Sequence, residues 1–392
     1  MNEVFKYLKG DRNIWVLAIL LGVISVVSVF SFIPILVKVK GLSYSYLFFK
    51  HFILLVLGYG IMYLVHRIPP KIFSRLSKIL FIVSIILLVL TMLIGESVNG
   101  ADRWLKIPFV PFSFQTSDFA KLALIIYLAR QLVKRKNEFG DFKIAMRYII
   151  LPIGLTVFLI LPSNLSTALL TGFFAFLMLV LAKFPWKWIG LSVGSAVGIF
   201  LLLLMIAKVQ PDVLPRVETW RMRIVRAFSD DTDPKEEMQS NNALIAIKNG
   251  AMTFNDPLPE GPGNGVLKRY IPEAYADFYF AALLEEGGLP MGIVIIMLYM
   301  WLLFRFIKVA LKSEEDLFSF YIVMGISIML ISQVLVNMMV STKLIPVTGQ
   351  NMPLLSMGGT SAWFTCIALG IVLGVSRSQE KTEQKNIKNE LE

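Results

Sequence analysis

Residues 270–288, Tyr-Ile-Pro-Glu-Ala-Tyr-Ala-Asp-Phe-Tyr-Phe-Ala-Ala-Leu-Leu-Glu-Glu-Gly-Gly, hold four carboxylates at the mouth of a strongly apolar segment: Glu273, Asp277, Glu285 and Glu286. A carboxylate costs free energy beside hydrocarbon, so its presence there calls for a function. Helical spacing puts Glu273 and Asp277, four apart, on one face. Glu285 and Glu286 follow about 12–14 Å farther along the axis, at about 1.5 Å per residue. At a partly desolvated boundary a carboxylate holds its proton more tightly and becomes a usable general base. The plainer reading is a solvated helix end with its charges at the lipid headgroups.

Three other groups of residues are candidates for chemistry. Asn99-Gly-Ala-Asp-Arg-Trp104 makes a turn and then sets Arg103 beside Trp104. That pair suits a membrane boundary, where guanidinium grips phosphate and indole anchors. Phe114-Gln-Thr-Ser-Asp-Phe-Ala-Lys121 follows, with Ser117 as the expected N-cap of a helix and Asp118 in its first turn. Lys121, one turn inside, either snorkels to the surface or aims its ammonium at a pyrophosphate or at Asp277. In the second group, Ser163-Asn-Leu-Ser-Thr-Ala168, small polar residues sit between two apolar runs, where they usually cap or pack helices. The third pairs Gln333 and Asn337, four apart on one face, with Val347-Thr-Gly-Gln-Asn-Met-Pro-Leu-Leu-Ser-Met-Gly-Gly-Thr-Ser361. The amides bond across helices, and the glycines and Pro353 mark irregular backbone. Such backbone is tolerated at membrane depth only where protein covers it or a cavity receives it.

These groups must be held by membrane helices. The 392-residue chain is 56% hydrophobic and 17% charged, with apolar runs recurring from Ile14 to Val375. The class is therefore all-α and polytopic, an integral membrane protein. Spans are expected at about 14–36, 47–65, 76–95, 117–133, 147–162, 166–183, 187–207, 277–307, 317–341 and 352–375. The second is interrupted by Lys50 and His51, and the fifth is short. Ten spans put both termini on one side. Lys6, Lys9 and Arg12, the loop with Arg67, Lys71 and Arg75, the cation-rich stretch Arg130–Arg147 and the loop with Arg305, Lys308 and Lys312 make that side cytoplasmic. Lys38 and Lys40 run against the rule. The first run lacks a small-residue cleavage site and reads as a retained helix. Residues 1–376 form one membrane domain, and 377–392 are expected to be a disordered cytoplasmic tail.

Two segments on the outer side, 96–116 and 208–272, are too long to be simple turns. The longer carries Trp220-Arg-Met-Arg223 with Arg226, suited to lying on anionic headgroups. It also carries Gln239-Ser-Asn-Asn242 and the glycine cluster Gly261-Pro-Gly-Asn-Gly265, whose backbone can approach a ligand closely. Other chemistry is disfavoured. The net charge of +11 lies in short loops, which argues for a membrane topology signal and against nucleic acid. His51 and His66, the only histidines, are far from the acidic stretch, so a zinc site or a Ser-His triad is not expected. No Walker sequence is present, and the single cysteine, Cys366, allows no disulfide within the chain.

In this order the groups resemble the SEDS (shape, elongation, division and sporulation) family over nearly the whole chain. The matching residues are Asn99-Gly-Ala-x-Arg-Trp104, Phe114-Gln-x-Ser-x-x-x-Lys121, Ile271-Pro-Glu273 leading to Asp277-Phe278, Glu285-Glu286-Gly287, Pro346-Val-Thr-Gly349 and Ser356-x-Gly-Gly-x-Ser361. The resemblance implies a glycosyltransferase that polymerises lipid II, an undecaprenyl-pyrophosphate-linked disaccharide-peptide, on the outer face of the bacterial cytoplasmic membrane. It implies a class B penicillin-binding protein as transpeptidase partner, among other divisome or elongasome membrane proteins. Asp277 matches the family's essential aspartate, the expected general base, with Glu273 beside it. Lys121 and Arg103 are expected on the pyrophosphate, and Gln239, Gly263, Gly265, Thr348 and Ser356 along the substrate path. A divalent cation (Mg2+ or Mn2+) held by Asp277 is a further expectation. The family's usual Gln-Pro-Ser-Glu is here Gln115-Thr-Ser-Asp118, its Pro-Asp-x-Gly-Thr-Ala is Ser163-Asn-Leu-Ser-Thr-Ala168, and its Ser-Tyr-Gly-Gly is Ser356-Met-Gly-Gly359. The stretch ahead of the last span is more like the division branch than the elongation branch. A lipid II flippase and a non-catalytic scaffold of the division or elongation machinery remain as alternatives.

Overall fold

The computed structural model describes residues 8–98, 101–106, 113–209, 217, 234–252, 277–313, 315–357 and 359–391. Ten helices run back and forth along the bundle, and one more lies in the long loop. They are α1 (Arg12–Lys40), α2 (Tyr44–Val65), α3 (Pro70–Ile94), α4 (Thr116–Lys134), α5 (Phe142–Ile160), α6 (Leu165–Leu181), α7 (Trp186–Val209), α8 in the long loop (Pro234–Met252), α9 (Tyr279–Leu311), α10 (Leu317–Ser341) and α11 (Ser361–Leu391). Between α3 and α4 sits a small antiparallel sheet, β1 (Glu96–Val98), β2 (Ala101–Lys106) and β3 (Ser113–Gln115), in which Trp104 pairs with Gln115.

Local sequence chemistry sets the helix ends. Asp11 caps α1 by accepting from the N–H groups of Asn13 and Ile14 at 2.9 and 3.3 Å, and Gly41 closes it in the left-handed region. Ser43 caps α2, and Pro70 opens α3. Asn164 caps α6 through the Thr167 N–H at 3.0 Å. Lys50 and His51 do not interrupt α2, which runs unbroken. Lys50 lies 5.8 Å from the Tyr46 ring, and His51 turns inward onto Ser25 at 3.1 Å, so neither polar group meets lipid alone.

Eight of the described helices are long and apolar enough to cross a membrane, and α6 is a shorter apolar helix. The remaining one of the ten expected spans, 117–133, is α4, which carries Asp118, Lys121, Arg130 and Lys134 and yet is buried along most of its length. Asp118 and Lys121 are tolerated because neighbouring helices surround them, Arg130 bonds to the Ser74 carbonyl, and Lys134 is exposed at the helix end. Around it, 67% of the α10 span is buried against only 6% of α7. The outward faces of α1, α7 and α9 expose Val23, Val27, Leu202, Met205, Met297 and Phe304. So continuous an apolar surface fits hydrocarbon, and the protein is a multi-pass membrane protein.

The alternation brings the starts of α1, α3, α5, α7 and α10 to one end of the bundle, with the end of α11. We call this the near end. The sheet, α8, the start of α9 and residues 342–360 gather at the far end. α11 extends to Leu391, over the stretch expected as a tail. Its extension is held by side chains at the near end. Glu380 accepts from the Gly10 N–H at 3.1 Å, Gln379 donates to the Val309 carbonyl at 2.8 Å, and Lys312 pairs with Glu383 at 3.0 Å.

Candidate functional site

The acidic stretch resolves into a turn and a kinked helix. Asp277 lies half-buried in the turn before α9, while Glu285 is buried two turns inside. Gly288, at φ 67° and ψ −175°, breaks the helical path, and Pro290 follows. Residues 279–287 are thus a separate head segment, set apart from the shaft. Glu273, Gly263 and Gly265 lie outside the described residues.

The head of α9 has no side chain of its own to cap it. Asn337, from α10, does so across the helices. Its Oδ1 accepts from the Phe280 N–H at 3.4 Å. Its Nδ2 donates to the Asp277 carbonyl at 3.2 Å and to the Gln350 carbonyl at 2.9 Å. Gln350 Nε2 then donates to Thr167 Oγ1 at 2.7 Å, and Asn164 caps that same turn of α6. A polar chain therefore runs from Asp277 through α10 and the 342–360 loop to α6.

That loop carries the irregular backbone expected from its glycines and proline, and protein covers it. Side chains take up its buried carbonyls one by one. Asn337 serves Gln350, the Tyr299 hydroxyl serves Pro353, and Ser25 Oγ serves Leu355 at 2.7 Å. The Met352 N–H donates to Ser356 Oγ at 2.8 Å, so Ser356 helps to shape the turn itself. Leu354 sits at φ 62°, a strained value for a branched residue, and is held there in full burial. Thr348 is half-exposed, and its Oγ1 has no hydrogen-bond partner among the described residues.

At the start of α4 the N-cap lies two residues earlier than expected. Gln115 occupies the N-cap position and Ser117 lies in the first turn, correcting the reading of Ser117 as the cap. Lys121 does not snorkel. It is 3% exposed and pairs with Asp118 at 2.7 Å. The pair is neutral overall, and Asp118 gains from the N-terminal end of the α4 dipole. Its Oδ2 nevertheless lacks a hydrogen-bond partner among the described residues, which leaves the pair incompletely satisfied. Arg103 is placed only by its backbone, on β2.

The long loop also contributes. Gln239 is partly buried on α8, and Asn241 on the same helix accepts from Lys343 Nζ at 2.9 Å. α8 lies directly against the head of α9: a Cβ built at Gly250 would stand 1.9 Å from the Leu284 carbonyl oxygen. Among the described residues no three His, Cys, Asp or Glu side chains gather to hold a metal ion. Of the expected donors the described residues offer Asp277 alone.

Thr167, Gln350 and the Ser25–His51 pair were not singled out in the sequence. Gln350 could have been flagged as an amide within a glycine-rich stretch. His51 had no signal beyond being a histidine in an apolar run.

A family model described as "Cell cycle protein", named for FtsW, RodA and SpoVE, matches residues 11–381. The chain belongs to this family, the SEDS proteins. It is 31% identical over 347 residues to a probable peptidoglycan glycosyltransferase FtsW of Halomonas elongata, covering 86% of this chain and 83% of that one. Two solved structures share the fold of this SEDS protein. One is a chain from a peptidoglycan synthase complex that coordinates polymerization and crosslinking, with TM-score 0.70, 24% identity, and 94% and 98% of the two chains covered. The other is the rod shape determining protein RodA of Thermus thermophilus, with TM-score 0.64, 23% identity, and 94% and 97% covered.

Proposed function

We infer that this SEDS protein is a peptidoglycan glycosyltransferase that polymerises lipid II at the outer face of the cytoplasmic membrane. The observation that carries the reading is the placement of Asp277. It is a half-buried carboxylate at the head of α9, in a chain whose relatives bear that name. In the reaction a sugar 4-hydroxyl attacks the anomeric carbon of a second lipid II. The glycosidic C–O bond forms, the bond to pyrophosphate breaks, and the hydroxyl proton goes to the Asp277 carboxylate. Glu273, outside the described residues, is proposed to assist it. Arg103 and Lys121 supply countercharge to the departing pyrophosphate. Gln239, Thr348 and Ser356 are proposed to contact the substrate, with Gly263 and Gly265 from the part of the loop outside the described residues. A divalent cation with Asp277 as its protein ligand would add charge neutralisation, and chelation of the assay mixture tests it.

The topology supports this assignment. The near end carries the cation-rich loops, which makes it cytoplasmic with both termini, and the far end, with Asp277, faces outward. A class B penicillin-binding protein crosslinks the product. Relatives named FtsW favour a role in septal division, for which the position of a fluorescent fusion at septum or side wall is the check. The deciding experiment is lipid II polymerisation by the purified chain with its partner. Asp277→Ala abolishes polymer while the protein still inserts in the membrane. Near-normal polymer from that variant sinks the assignment and leaves the flippase or scaffold readings.

A further inference from the structure

We propose that Asn337, acting with Gln350, is a positioning residue that sets the Asp277 carboxylate against the 342–360 loop. The proposal rests on the reading of Asp277 as general base.

Asp277 lies two residues ahead of a helix that has no cap of its own. An uncapped helix start leaves its first N–H groups unmatched and frays. The kink at Gly288 removes the remaining support, because the long shaft of α9 cannot dictate the direction of its head across a break in the helical path. Orientation must therefore come from outside the helix, and Asn337 provides it. Its side chain is fully buried. An Asn amide has two N–H donors, and both are committed, one to the Asp277 carbonyl and one to the Gln350 carbonyl. Its oxygen holds the Phe280 N–H. The backbone on either side of residue 278 is thus tied to one amide group, which is tied in turn to a different loop. Gln350 passes the constraint to α6 through Thr167. Rotating the head of α9 would break a hydrogen bond inside a desolvated bundle, which is costly.

A base displaced by about 1 Å loses on the order of 100-fold in rate. Asn337→Ala is therefore expected to lower kcat for lipid II polymerisation by about 10- to 100-fold, with KM for lipid II within about threefold of wild type. Asn337→Asp is expected to fall at least as far, since it sets carboxylate oxygens against two carbonyls. The assay uses the full chain with its class B partner over a range of lipid II concentrations, with Asp277→Ala alongside. If Asp277→Ala stays active, the base assignment fails and takes this inference with it. If Asp277→Ala is dead but Asn337→Ala keeps kcat within twofold, this inference alone fails. A raised KM at unchanged kcat also overturns it, in favour of substrate contact. Should Asn337→Ala fail to fold, Gln350→Ala decides. It keeps every backbone carbonyl and loses only the Thr167 bond, so kcat per folded molecule should drop several-fold at unchanged KM. Wild-type turnover by Gln350→Ala overturns the proposal.

Discussion

The two ends of α9 are anchored by opposite chemistry. At the far end a neutral amide, Asn337, grips backbone inside the bundle. At the near end Arg305 forms a bidentate ion pair with Asp11, and Lys312 pairs with Glu383 in partly exposed positions. The exposed Lys312–Glu383 pair keeps much of its hydration and is adaptable and salt-sensitive, whereas Asp11 is buried beneath Arg305. A buried amide has no water to fall back on, and it therefore holds one geometry. The near end keeps the bundle together, whereas the far end specifies where a carboxylate points. The Asp118–Lys121 pair adds buried charge at the far end, with its Lys121 and Asp118 side chains 3% and 8% exposed, and it carries a desolvation cost.

Breaking that pair should give the largest effect. Lys121→Ala leaves Asp118 buried without its partner and is expected to cost about 3–5 kcal/mol of stability, read as the unfolding midpoint in detergent. Removing both charges, as Asp118→Ala with Lys121→Ala, should cost less than the single change. If the double variant is the worse of the two, the pair is not an isolated buried ion pair. Next, Gly250→Val forces a side chain into the Leu284 backbone and should lift α8 from α9, at about 1–3 kcal/mol. Hydrogen exchange should then rise in α8 and the head of α9 while the near end stays protected.

At the near end, Asp11→Ala removes both the α1 cap and the Arg305 pair. It should cost about 1–3 kcal/mol, with polymerisation per folded molecule unchanged. A loss of turnover there matching that of Asn337→Ala would erase the distinction between the ends. Lys312→Ala should cost no more than about 1 kcal/mol, and moderate salt should hide even that. His66, just past the end of α2, gives the comparison a pH axis. Burial, helped by the charges of Arg377 and Arg67, outweighs its bond to the Tyr63 carbonyl and holds its imidazole below the ordinary range. The folded form then binds protons less readily than the unfolded one. The stabilising contribution is present above about pH 6.5 and is lost as pH falls below it, which a midpoint-versus-pH series on wild type and His66→Gln would show.

Much of this was legible in one dimension. Apolar runs of bilayer length marked the helices, because hydrocarbon tolerates no unpaired backbone and only a long apolar helix answers that demand. The carboxylates of 270–288 stood out because charge is rare in such surroundings. Asn337 was visible by its spacing from Gln333. The contacts of Gln379, Glu380 and Glu383 with Val309, Gly10 and Lys312 were not legible, because those partners are remote in sequence.

Composition and periodicity thus determined the class of this SEDS protein, the number of its bundle helices and the residues able to do chemistry. Those properties depend on each segment's own transfer from water to lipid. Only the tertiary structure decided that Lys121 turns to Asp118, that Asn337 caps a helix it does not belong to, and that Gly288 cuts the head of α9 from its shaft. A buried polar group is stable only beside a matching partner, and which partner arrives is settled by how the helices pack.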